Sequence, residues 1–211
     1  MSEEKQMLDY RIIGSGSSGN AVRIGDMLFD CGVSYKKLEM ELYSIKYLLI
    51  THTHTDHINM NTFNHIVKKF PRITVIGNWD VARKVKVNEI VGDMTTLKMN
   101  DRVIQSFANV HDVPCHGFAI SMNGLNIIYA TDTNTLENAP KWKYDMLFIE
   151  SNHDENKIQQ IQNNSKKLYG YDAWRGALRH LSTQKSKAFY YMNRRDKDSM
   201  WVELHKSKRF Y

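Results

Sequence analysis

Residues 51–57 read Thr-His-Thr-His-Thr-Asp-His, three imidazoles and a carboxylate packed into one short loop directly after the apolar run Tyr47–Ile50. A lone histidine is more often a structural residue, but three beside a carboxylate at this spacing supply the donors that a metal ion takes. In an extended loop His52 and His54 point the same way and can share one ion, while Asp56 and His57 turn toward a second. Zinc, manganese and related divalent ions accept this mixture of nitrogen and oxygen, and paired hydrolytic ions stand roughly 3.5–4 Å apart. The chemistry implied is metal-assisted hydrolysis.

Such a loop needs rigid elements to aim it, and the sequence supplies them in a repeated form. Met27–Phe29 runs into Asp30, Tyr47–Ile50 into Thr51 and His52, Asn126–Ala130 into Thr131 and Asp132, and Met146–Ile149 into Glu150. Short apolar runs bounded by turn residues predict strands buried on both faces. Polar groups just past the strand ends gather on one edge of a sheet, where α/β proteins carry their working loops. Between the strands, Asn59–Phe70 has apolar residues at helical spacing before Pro71, and Ser182 is an N-cap for a helix over Thr183–Met192. Asn123-Gly124 predicts a two-residue hairpin between Phe118–Met122 and Asn126–Tyr129. The segments GDMLFDCG and GLNIIYATDT echo one another, each with a turn glycine, a buried strand and a terminal Asp.

The 211 residues suit one domain over 1–211, ending in a basic, aromatic tail at about 194–211. With 42% apolar and 25% charged residues, disorder is excluded. No signal peptide and no membrane-length apolar run is read, and two cysteines, Cys31 and Cys115, suit a reducing cytoplasm. The charge is uneven: residues 1–156 carry 16 Lys/Arg against 19 Asp/Glu, and residues 157–211 carry 13 against 4. That basic C-terminal quarter is either a solvated face or a surface for an anionic partner.

His52, His54, Asp56 and His57 meet, residue for residue, the HxHxDH signature of the metallo-β-lactamase superfamily, which the chain resembles. The same superfamily has an early Asp at a strand end, matched by Asp30 in LFDCG, then a lone His, a bridging Asp and a final His, matched by His111, Asp132 and His180. The resemblance implies an α/β fold, a four-layer αββα sandwich of two mixed sheets flanked by helices. It implies two divalent ions, Zn2+ or Mn2+, with His52, His54 and His111 on the first, Asp56, His57 and His180 on the second, and Asp132 on both. Water activated by the ions would be the nucleophile, with Asp56 and Asp132 in the catalytic group and Asp30 orienting a ligand. His116 competes with His111, which is preferred because it ends the strand pattern Val103–Val110. His153, in IESNHD, is read as protonating a leaving group or binding substrate, against the alternative of an exposed loop histidine; His65 and His205 are read as bystanders.

Gly14–Asn20, GSGSSGN, lacks the setting of a phosphate-binding loop. With ATDT, ESNHD and HLS it resembles the bacterial YycJ/WalJ-like branch, over about residues 12–193. The branch implies a phosphodiesterase acting on nucleic acid or nucleotides, and the absence of large insertions matches compact phage-encoded members. Lys166, Lys167, Arg175 and Arg179, just ahead of His180, are the expected substrate-binding cations. Two other readings use the same ligands: a cyclic-nucleotide phosphodiesterase of anti-defence type, and a glyoxalase II or lactonase-like ester or thioester hydrolase. A homodimer is compatible with these readings.

Overall fold

Two series of parallel strands, each ending in polar residues, organise the protein. A computed structural model describes residues 6–163, 168–170 and 172–211. The chain divides into two compact units, residues up to 95 with 113–116, and residues 96–112 with 117–211.

The first unit holds a six-stranded sheet in the order β1 (Tyr10–Gly14), β2 (Ala21–Ile24), β3 (Met27–Phe29), β4 (Tyr47–Ile50), β5 (Thr74–Asn78), β6 (Glu89–Val91). Strands β1 to β3 pair antiparallel and β3 to β6 parallel. Consequently the ends of β3, β4 and β5 bring Asp30, Thr51 and Asn78 to one edge. Helices α1 (Tyr35–Leu38), α2 (Met60–Lys69) and α3 (Trp79–Lys84) accompany the sheet. Asn59 caps α2 by accepting from the Thr62 N–H, and Phe63 and Ile66 bury its apolar face against Leu48, Ile50 and Val75. Each such buried aliphatic side chain contributes about 1.5–3 kcal/mol.

The second unit holds β7 (Thr96–Lys98), β8 (Arg102–Asn109), β9 (Cys115–Met122) from Gly117 onward, β10 (Leu125–Ala130), β11 (Met146–Glu150) and β12 (Met200–Leu204), ordered β12-β11-β10-β9-β8-β7. Here β10, β11 and β12 are parallel, so Asp132, Glu150 and His205 follow the same ends of three adjacent strands. Helices α4 (Glu155–Gln160), α5 (Ala173–Ala177) and α6 (Thr183–Asn193) complete the unit, α6 capped by the Ser182 hydroxyl. Ile128, Leu147, Ile149 and Tyr144 form its core with Leu181 and Phe189.

The expected hairpin is present, with Asn123 and Gly124 both left-handed at φ 49° and 72°, as a two-residue turn of this hand requires. The internal echo extends to the backbone: Gly25 turns β2 into β3, and the two terminal aspartates, Asp30 and Asp132, are left-handed at φ 61° and 56°. Strand β12 lies inside the stretch read as a C-terminal tail, and parallel pairing with β11 makes it part of the sheet. Cys31 and Cys115 are free and buried, and burial pushes the Cys31 thiol far above its usual value. Among the described residues no helix is long and apolar enough to cross a membrane.

Gly117 in β9 faces Phe107 in β8 so closely that a Cβ there would lie 2.3 Å from the ring. Gly117→Ala should therefore lower stability by about 1–3 kcal/mol in urea unfolding, and Phe107→Leu in the same chain should recover part of the loss that the two changes would otherwise sum to. Strict additivity would contradict this packing.

Candidate metal-binding clusters

In the first unit the carboxylate of Asp30, fully buried, organises the histidine loop. Its Oδ1 accepts from the Thr51 N–H at 2.9 Å and from the Thr51 hydroxyl at 3.0 Å, and its Oδ2 lies 2.8 Å from His57 Nδ1. Burial pushes the Asp30 carboxyl up, opposed by His57 and by the Thr51 hydrogen bonds. Donation of the Nδ1 proton to Asp30 leaves the Nε2 lone pair of His57 outward, beside Asn20 Nδ2 at 2.8 Å. A ligating histidine needs this arrangement, one nitrogen fixed by an acceptor and the other presenting its lone pair. His52 Nε2 and His54 Nδ1 stand 3.1 Å apart, close to the ~3.3–3.4 Å between two nitrogens on one tetrahedral ion with bonds of about 2.0–2.1 Å.

The GSGSSGN segment holds this loop in place. Asn20 N donates to the Asp56 carbonyl at 2.7 Å, Gly32 N donates to the Asn20 carbonyl at 2.9 Å, and a Cβ on Gly32 would fall 1.7 Å from the Asp56 carbonyl oxygen. Gly19, at φ 129°, approaches Gly32 so closely that its own Cβ would meet the Gly32 carbonyl at 2.6 Å. The glycines allow three backbone segments to stack, and the stack sets the position of Asp56 and His57.

The second unit repeats the design around Glu150, also fully buried. Its Oε1 lies 2.7 Å from His180 Nδ1 and 2.9 Å from His205 Nδ1, and its Oε2 accepts from the Thr133 N–H at 2.9 Å. Burial pushes the Glu150 carboxyl up, but His180 and His205 outweigh it and hold the group below its usual value. Asp132 Oδ1 is 3.7 Å from both His180 Nδ1 and His205 Nε2. One donor atom each from Asp132, Glu150, His180 and His205 falls within 4.8 Å of the others, a mixed nitrogen and oxygen set of the kind divalent ions take. His111 follows β8, with its ring centroid 6.1 Å from that of His180 and its Nε2 3.1 Å from Asp112 Oδ1.

Glu150 and His205 are the two residues that the sequence reading did not place in the site. Glu150 stands there as a strand end, whereas His205 is taken for a bystander. The structure corrects the second reading: His205 is 7% exposed and contacts Glu150 and Asp132. The missed signal was Met200–Leu204, another apolar run ending in a polar donor. His65 is exposed on α2, and both ring nitrogens of His116 face protein partners, Asn78 at 3.2 Å and Asp93 at 2.9 Å. His153 is buried, contrary to an exposed-loop reading; its Nδ1 has no hydrogen-bond partner among the described residues, and burial lowers its pKa. Arg175 and Arg179 are 81% and 62% exposed, beside Asp172 and Asp112. Lys166 and Lys167 lie outside the described residues.

No protein-family model matches the chain. It is 27% identical over 178 residues to exodeoxyribonuclease YycJ of Bacillus anthracis, an alignment covering 70% of this chain and 64% of that protein, so the chain spans less than two thirds of the relative's length. Among solved structures, the metallo-β-lactamase fold protein YhfI of Bacillus subtilis superposes with a TM-score of 0.69 at 16% identity, over 96% of this chain and 87% of that one. The short form of human tRNase Z gives 0.65 at 17% identity, over 95% and 93%. A diphosphatase of the PhnP family gives 0.64 at 15%, over 94% and 86%. The chain therefore has the metallo-β-lactamase fold, as its motif order implies.

If Asp30 and Glu150 orient ligands, Asp30→Asn and Glu150→Gln should each weaken metal affinity by about 10–100-fold with little change in secondary structure. Metal titration followed by circular dichroism checks this, and unchanged affinity in both variants would contradict it. Gly32→Ala should also weaken metal retention, because the new Cβ must push the Asp56 backbone aside.

Proposed function

We propose that the chain is a metal-dependent hydrolase that cleaves phosphodiester bonds in nucleic acid or nucleotides. The observation that carries this reading is the pair of buried carboxylates, Asp30 and Glu150, each hydrogen-bonded to Nδ1 of a motif histidine. Orientation of imidazoles by buried carboxylates is a feature of metal sites. The choice of bond is supported by the relatives, which include an exodeoxyribonuclease, a tRNase and a diphosphatase.

In this reading the residues that would hold divalent ions are His52, His54, Asp56 and His57 in the first unit and His111, Asp132 and His180 in the second. Zinc fits the imidazole-rich donor set and manganese is the alternative. Divalent ions held by these residues would supply Lewis acidity and lower the pKa of coordinated water toward about 7. The chain's own residues do the rest. Asp30 and Glu150 keep the Nδ1 protons of His57 and His180 in place and so fix which nitrogen faces the ion. The Gly32–Asp56 backbone stack fixes the Asp56 carboxylate in one direction. His153, whose pKa burial lowers, serves as a hydrogen-bond partner for substrate. Arg175 and Arg179, exposed on the approach to His180, meet a longer substrate beyond its reacting phosphate.

Bis(p-nitrophenyl) phosphate, single-stranded DNA, single-stranded RNA, cyclic nucleotides and a generic thioester form the test panel. The metal-loaded protein should hydrolyse at least one phosphodiester, lose that activity on chelation, and show only the chelated background as Asp132→Ala. Thioester turnover with every phosphodiester inert would replace this reading with an acyl hydrolase. No turnover of any member would remove it.

A further inference from the structure

A second feature of the His180 region is a cavity of about 280 Å³ within the second unit, bounded by α4, α5 and the start of α6. Small-ligand pockets run from about 300 to 1,000 Å³, and this cavity lies just below that range, on the scale of one nucleotide unit and far too small for a duplex. Its lining is chemically mixed. Trp174 offers an aromatic surface, flanked by Ile158 and Leu178. Gln159 and Gln162 add amide donors and acceptors to the lining. Glu155 lines it too, one carboxylate oxygen accepting from the Ser182 hydroxyl and the other with no hydrogen bond among the described residues, open to a donor such as a sugar hydroxyl. His153, whose buried Nδ1 has no hydrogen-bond partner among the described residues, lies on the lining, as does His180.

The cation of this cavity is Lys185, exposed on the first turn of α6, and no ion pair holds its ammonium among the described residues. Arg175 and Arg179, by contrast, each stand within 4 Å of a carboxylate, at 3.4 and 3.7 Å. Aromatic face, amide edge, hydroxyl acceptor and cation are the four contacts that base, sugar and phosphate require.

We infer that this cavity is the binding subsite for one nucleoside unit of the substrate, with the base against Trp174, the sugar at Glu155, and the phosphate between Lys185 and His180. The inference rests on the phosphodiesterase reading and narrows it to substrates that present an unpaired nucleotide, since a base held in a duplex cannot reach an aromatic wall. Lys185 thereby becomes a substrate-binding residue, alongside the arginines ahead of His180.

The test is calorimetric binding of adenosine 5′-monophosphate, deoxyadenosine 5′-monophosphate and ribose 5-phosphate to the full chain in EDTA, where no hydrolysis can intervene. Both nucleotides should bind at least about tenfold more tightly than ribose 5-phosphate, because base stacking on an aromatic side chain contributes that much. Trp174→Leu should erase this preference, and Lys185→Ala should weaken all three ligands by about tenfold. Trp174 also packs beside Ile158, Ala173 and Phe210. Trp174→Phe, which keeps a ring, should retain a preference and separates loss of stacking from loss of folding. Equal affinity for nucleotide and ribose phosphate, or no saturable binding by the folded protein, would overturn the subsite. Nucleotide binding with these dependences and no phosphodiester turnover would leave the subsite standing and remove the phosphodiesterase reading; turnover without them would do the reverse.

Discussion

A carboxylate with no exposed surface stays in place only if its oxygens are hydrogen-bonded and its charge is met by neighbours, because burying it unpaired costs several kcal/mol. Each unit of this protein places one such group at the end of a strand, Asp30 after β3 and Glu150 at the end of β11, both at 0% exposure. Each is satisfied in the same way, by a backbone N–H from a neighbouring strand end and by imidazole Nδ1 atoms. Asp30 takes Thr51 N–H and His57, while Glu150 takes Thr133 N–H, His180 and His205. The parallel strands exist in register so that these groups meet, and the orientation of the imidazoles follows. Removing either carboxylate would leave the histidines without a fixed tautomer.

Backbone geometry serves the same end. Asp30 and Asp132 adopt left-handed conformations that cost a non-glycine residue about 1–3 kcal/mol. Both stand where a buried strand breaks into a loop, and both turn a carboxylate toward histidines. The glycines of GSGSSGN and Gly32 act by subtraction: without a Cβ, three backbone segments approach to hydrogen-bonding distance, and Asn20 reaches Asp56 and His57.

Much of this was legible in the residues. The apolar runs ending in Asp30, His52, Asp132 and Glu150 gave strands and their working edge, Asn123-Gly124 gave its hairpin, and Asn59 and Ser182 gave helix starts. Glu150 as an orienting group was not legible, because its partners His180 and His205 lie 30 and 55 positions away, the first on the loop before α6 and the second just past the strand paired with β11. His205 was hidden by composition. The basic, aromatic character of the last residues reads as a tail, either a solvated face or a surface for an anionic partner, yet Trp201 packs against the core of the second unit and Val202 and Leu204 are buried. The cavity at Trp174 leaves no periodic signal, since it is assembled from α4, α5 and the α6 start.

Two sets of imidazoles and carboxylates, one around Asp30 and one around Glu150, offer the donors that divalent ions take. The most direct measurement is metal stoichiometry by mass spectrometry on the folded chain, after titration with Zn2+ or Mn2+ and removal of free ion. Two ions per chain are expected, falling toward one in Asp56→Ala with the fold retained. A folded wild-type chain that retains no more than background metal under either supplement would contradict this.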